Sequence, residues 1–92
     1  MERVEIRLPP FSIEVDDAIV TVWEVIKLQP VGGRPSYHVV ISFRYRGIES
    51  KRYGIDAKDT KDLINKLKIE LTKLKMVEYT YGKETLRKVM TQ

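Results

Sequence analysis

Between Ile55 and Glu78 the chain alternates polar and apolar residues at helical spacing. Thr60, Ile64, Leu67, Leu71 and Leu74 follow steps of four, three, four and three, with Leu63 beside them. This pattern predicts an amphipathic helix over residues 57–78, one side of which must be buried. Asp56 is placed to cap its first turn, and Asp59 can reach back to complete a capping box. Acids gather at the start (Asp56, Asp59, Asp62) and lysines further on (Lys66, Lys68, Lys73, Lys75), as the helix dipole favours. At 1.5 Å per residue such a helix is about 33 Å long. That exceeds what one small sheet covers, so Leu67, Leu71 and Leu74 are expected to meet a second chain as well as the core.

Upstream the period changes to two. Val4, Ile6 and Leu8 alternate with Glu5 and Arg7, the mark of a half-buried strand that Pro9-Pro10 ends. Phe11 to Val15 is either a second short strand or the first continued after a kink, and Asp16-Asp17 supplies turn chemistry. Ala18 to Leu28 is rich in β-branched residues and reads as a strand. Strict alternation puts Val20, Val22, Ile26 and Leu28 on one face and Thr21, Trp23, Val25 and Lys27 on the other. Residues 30–35, PVGGRP, form a loop. Its glycines open no helix and no Lys-Ser/Thr pair follows them, which excludes a phosphate cradle.

The strongest alternation runs from Ser36 to Arg46. Tyr37, Val39, Ile41, Phe43 and Tyr45 share one face, and His38, Val40, Ser42, Arg44 and Arg46 the other. Gly47 lies in a turn and Ile48 to Ile55 returns as the second arm of a hairpin. Past Glu78 the helical pattern lapses at Tyr79-Thr80-Tyr81-Gly82. Lys83 to Met90, with Leu86, Val89 and Met90 on one side, either forms a short final helix or carries on the long one. The chain is therefore expected to be a single α+β domain spanning 1–92: an antiparallel sheet of about four strands in 1–55, the long helix packed on one face, and a C-terminal segment at 79–92.

Charge changes this picture from a scaffold to a surface. The 92 residues carry a net charge of +4, unevenly spread: residues 1–28 hold three basic and six acidic side chains, residues 29–55 five basic and one acidic. The middle strands are thus the electropositive region, the usual footprint of a polyanion partner, although a solubilising face has the same composition. With one helix to cover the sheet, the opposite face stays open. On it the alternation places Trp23 beside Arg44 and Arg46, with His38 along the strand and Arg34, Lys51 and Arg52 on the neighbouring loop and arm. Single-stranded nucleic acid needs cations that track phosphates and flat rings on which unstacked bases rest, about 1–3 kcal/mol per base. Trp23 could equally be a core residue, since indole buries well. Tyr45 and Tyr53 are expected to be partly buried with their hydroxyls at the rim of the same surface.

Other chemistries fail on inventory. The chain has no cysteine and one histidine, so neither a disulfide nor a metal site is expected, and no cofactor motif occurs. Asp16-Asp17 is the only adjacent carboxylate pair, and neighbours in a strand or turn do not converge on one substrate, so catalysis is not expected. No apolar run approaches the ~18 residues of a membrane span and no secretory leader is visible, which suggests a cytoplasmic protein. The core is too small for a large buried site, so no small-molecule substrate is expected. One Asn, two Gln and a one-third charged composition lean toward a thermophile.

The succession of strands, basic-aromatic hairpin and RYGIDAKDTKDLINKLKIELTKL resembles the closing hairpin and helix of small single-stranded DNA-binding proteins. The nearest in pattern are the archaeal ThermoDBP and ThermoDBP-related proteins and, more distantly, the transcriptional coactivator positive cofactor four. The resemblance covers about residues 36–76. It implies that the sheet binds single strands through Trp23, Arg44, Arg46, Lys51 and Arg52, and that the helix dimerises through Leu67, Leu71 and Leu74. The acidic first 28 residues depart from a basic arm. The sequence thus points to a non-catalytic, dimeric protein that binds single-stranded nucleic acid, DNA rather than RNA by the resemblance. The competing reading is a protein-interaction module using the long helix, with Ile69 and Met76 off its main stripe, and an exposed sheet edge.

Overall fold

The structure, a computed structural model, describes residues 2–6 as backbone and residues 10–92 in full. Leu8 and the Pro9 end expected for the first strand lie outside the described residues. Six strand segments and two helices follow in order: β1 (Glu2–Ile6), β2 (Phe11–Val15), β3 (Ala18–Gln29), β4 (Ser36–Tyr45), β5 (Ile48–Glu49), β6 (Tyr53–Ala57), α1 (Thr60–Tyr81) and α2 (Lys83–Thr91). All pairings are antiparallel. β1 pairs with residues 25–29 of β3 and β2 with residues 18–22, so these two segments form one interrupted edge row. β3 pairs with β4, and β5 and β6 together form the row on the far side of β4. The result is an α+β fold with the expected antiparallel sheet, here a meander of four rows with its two outer rows each broken once.

The turn between β4 and β5 explains why Arg46 leaves the alternation of its strand. Arg46 and Gly47 both have positive φ, +56° and +74°, which suits the tight twist of a two-residue hairpin. Arg46 therefore sits in the turn and not on the open face, and its Nε lies 3.2 Å from a carboxylate oxygen of Glu78 on α1. Tyr45, 3 % exposed, points to the helix side, and its hydroxyl donates to Glu78 at 3.1 Å. A third tie at this end joins Asp17, in the β2–β3 turn, to Lys75 at 2.8 Å.

Helix α1 begins three residues later than its pattern suggests. Asp56 remains in β6 opposite His38, and Asp59 is the N-cap, its side chain accepting from the Asp62 N–H at 2.8 Å. Asp62 in turn accepts from the Lys58 N–H at 2.9 Å, one residue before the cap, so Asp59 and Asp62 together tie down the entry to the helix without forming a reciprocal box. Strand pairing holds Asp56 extended and moves the cap downstream. α1 ends at Gly82, whose φ of +91° is open to glycine and strained for other residues. The bend there starts α2 as a separate helix that packs back on the first.

This bend corrects the expected role of the helix stripe. Leu67, Leu71 and Leu74 are 0, 1 and 9 % exposed within a single chain, in the same core as Leu86 and Met90 of α2. They are not available to a second copy. The short C-terminal helix covers the length of α1 that the sheet does not reach. The rest of the core is the helix-facing side of the sheet: Val15 from β2, Ala18, Val20 and Val22 from β3, Val39, Ile41, Phe43 and Tyr45 from β4, and Ile48 from β5.

Tyr53 also belongs to this side. It pairs with Ile41 in the β4–β6 register, stacks on Phe43 with ring centroids 6.1 Å apart, and lies close to Glu70. Burial first, and the Glu70 charge second, hold its phenol well above the ordinary value of 10. The unfolded chain ionises near that ordinary value while the folded chain keeps the proton. This contribution is therefore intact below about pH 10 and is lost as pH rises through the elevated folded value. Tyr53→Phe should flatten the alkaline limb of a stability–pH curve measured by urea unfolding; an unchanged limb would place the titration elsewhere.

Candidate nucleic-acid interface

Two irregularities in the sheet meet at Ser42. In β3 the register jumps between Val22, opposite Ile41, and Glu24, opposite Val40, leaving Trp23 as the extra residue of a β-bulge. Across β4, the outer row leaves the ladder between Glu49 and Tyr53. There Ser50 takes over, its Oγ accepting from the Phe43 N–H at 2.8 Å and donating to the Lys51 carbonyl at 2.9 Å. The Lys51 N–H donates to the Met90 carbonyl at 3.2 Å, so the end of α2 fixes this kink.

The first bulge overturns the face assignment expected for the second half of β3. One inserted residue moves everything after it to the opposite side. Val25 now pairs with Val39 and packs against the core, Lys27 falls opposite Tyr37, and Ile26 falls opposite His38 on the other face. Strict alternation is blind to such an insertion, because Val, Ile and Leu occur on both phases of this strand.

Together the irregularities aim three side chains at one place. Trp23 is half-buried and lies on the sheet face away from α1; its indole N–H donates to Ser42 Oγ at 2.9 Å. The Arg52 guanidinium carbon sits 3.6 Å from the centre of the indole ring, a cation–π stack. They border a shallow cleft of about 520 Å³ whose lining also includes Glu49, Ser50, Lys51 and Thr91. The choice between an exposed and a core Trp23 thus resolves to neither: one edge is anchored by Ser42 and one ring face is covered by an arginine on a surface no helix covers.

The other expected binding residues divide. Arg44 is on this face, 3.9 Å from Glu49 across the β4–β5 pair. His38 is on it too, further along β4, with Nδ1 2.7 Å from the Asp56 carboxylate and its ring over Gly54 so closely that a Cβ there would clash. Lys51 and Arg52 are exposed, and among the described residues neither makes an ion pair. Tyr45, Arg46 and Tyr53 are not part of this face, for the reasons of turn and register given above. Arg34, in the β3–β4 loop, lines a separate recess with Pro35, Ser36, Lys58 and Asp59. Alternation places Ser42 on the outward face but gives it no role, since a serine's hydrogen-bond partner is not a periodic property; nothing in the sequence points to Glu49, and Thr91 reaches the cleft only because α2 folds back.

Electrostatically the face is mixed. Glu49 lies against Arg44, Glu24 falls on this face opposite Val40, and Lys51 and Arg52 stand at the Trp23 end. Among the described residues no cluster of three or more His, Asp or Glu side chains could hold a metal ion, and no helix is long and apolar enough to cross a membrane.

Fold and site together define a small α+β protein with a helix-covered and an uncovered sheet face, the latter bearing a tryptophan–arginine stack. Comparison with protein-family models, with curated proteins and with solved structures finds no match.

Proposed function

We propose that this protein binds single-stranded nucleic acid, without catalysis, on the uncovered sheet face around Trp23. The observation that carries the reading is the Trp23–Arg52 stack at 3.6 Å beside Lys51, on a face no helix covers. A base can rest on the indole or between indole and guanidinium, while Lys51 and Arg44 take the flanking phosphates. DNA is favoured over RNA by the resemblance to ThermoDBP-like proteins alone.

A salt series of titrations with labelled single-stranded oligonucleotides tests this. Affinity should fall with rising salt in proportion to the phosphates neutralised, and Trp23 fluorescence should quench on binding. Tryptophan emission unmoved at saturating oligonucleotide would remove the site, and absence of binding at low salt would remove the function.

A second reading rests on a different surface. Ile69, Met76 and Tyr79 are 55, 64 and 94 % exposed on α1, at spacings of seven and three. These are the positions a helical partner would use, and they favour a protein-interaction module. A stoichiometric protein that co-purifies and is lost on Met76→Lys would favour it over the nucleic-acid reading.

A further inference from the structure

On the other side of the sheet, α1 leaves part of the apolar surface uncovered. It starts only at Thr60, so the stretch of sheet under its first turns is roofed on one side and open on the other. The resulting cleft has a volume of about 490 Å³ and is lined chiefly by Phe11, Ile13, Val25, Tyr37, Leu63 and Ile64. That size lies within the ~300–1,000 Å³ typical of small-ligand sites, which are apolar clefts with a few convergent polar groups.

The polar groups are at one end. Lys58 and Asp59 border this cleft and also the neighbouring recess of about 500 Å³ that Arg34 lines, so the two hollows share a rim. The local carboxylates already have partners: Asp59 accepts from the Asp62 N–H, and Asp62 accepts from the Lys58 N–H and pairs with Lys66 at 3.4 Å. Arg34 and Lys58 are exposed, and among the described residues neither makes an ion pair. An apolar slot therefore opens on a rim with two exposed cations, Arg34 and Lys58, the second also within electrostatic reach of Asp62, and one acid, Asp59.

We infer that this cleft binds a free amphipathic carboxylate, its chain against Val25, Leu63 and Ile64 and its head between Arg34 and Lys58. Apolar area removed from water drives the chain in, and a charge-assisted contact fixes the head. The inference is independent of the nucleic-acid reading, since none of the cleft residues faces Trp23. It also differs from the sequence-based expectation of no small ligand, because the cleft is open and made by the offset between helix start and sheet edge.

Isothermal titration of the full chain with decanoate, decanol and acetate separates the two halves of the site. Decanoate should bind saturably, decanol more weakly and acetate not at all. Arg34→Glu combined with Lys58→Glu, both at exposed positions, should weaken decanoate about tenfold or more while leaving decanol and the melting temperature unchanged. Val25→Trp, filling the slot, should remove both ligands. Decanoate binding that does not saturate, is indifferent to the double charge reversal, or occurs only with anionic vesicles would overturn the assignment.

Discussion

Leu86→Ala should lower unfolding free energy by about 2–5 kcal/mol, the range for a fully buried leucine whose site collapses incompletely. Leu86 is 0 % exposed and α2 is only nine residues long, so this side chain and Met90 supply most of its packing. A short helix of that length has little intrinsic stability in water and depends on tertiary contact. Loosening it has two further consequences. Leu71 and Leu74 become exposed, creating an apolar patch of the kind that drives self-association. The Lys51–Met90 bond that fixes the kink beside Trp23 is also weakened, so ligand affinity at the open face should fall. Urea unfolding gives the first effect and sedimentation velocity the second. A loss below about 1 kcal/mol, with a monomer that sediments as before, would mean that α2 does not hold the core closed.

Trp23→Ala should weaken single-strand binding by about 1–3 kcal/mol, roughly five- to 150-fold, if a base stacks on the indole. Three companion variants separate the contributions. Trp23→Phe keeps a ring and loses the hydrogen bond to Ser42, so it should retain much of the affinity. Lys51→Ala removes a phosphate-contacting cation, so the dependence of log affinity on log salt should become shallower by about one phosphate contact, whereas Arg52→Ala takes away the lid of the stack and should lower affinity with little change in that slope. Stability has to be measured alongside. Trp23 is half-buried and anchored to Ser42, so its loss should destabilise the fold by part of the ~3–5 kcal/mol seen for fully buried tryptophans. Equal affinities for wild type and Trp23→Ala, at temperatures where both are folded, would rule out stacking at this residue.

These predictions depend on features of unequal legibility in the sequence. The long helix, the β4 strand and the β4–β5 turn are each marked by local chemistry: the Leu67–Leu71–Leu74 spacing, the alternation from Tyr37 to Tyr45, and Gly47. The proposed site is half visible. Trp23, Arg44, Lys51 and Arg52 could be named from residue type, and the structure places them on one face. Arg46 falls on the open face only when alternation is extended into the turn, where it does not apply; Tyr45 and Tyr53 lie on the helix side, and their hydroxyls do not reach the rim of the open face. Asp56 is by residue type a good cap. Only its pairing with His38 shows that the strand had not yet ended.

Features that depend on neighbours within a few positions are legible in the residues alone: the long helix and its apolar face, the strong β4 strand, the hairpin turn and the basic bias of the central strands, whereas Gly82 leaves open both a bend and a continued helix. Tertiary structure alone decided which polar faces meet and which apolar faces are covered. A one-residue bulge at Trp23 reverses the second half of β3, and no window of β-branched residues reveals where an extra residue will be accommodated. Likewise the stripe on α1 is the same whether a second chain or the chain's own C-terminus buries it. The direction of the chain after Gly82 settled that, by bringing Leu86 and Met90 back onto Leu67, Leu71 and Leu74, because burial is a property of the assembled surface and not of the helix that carries it.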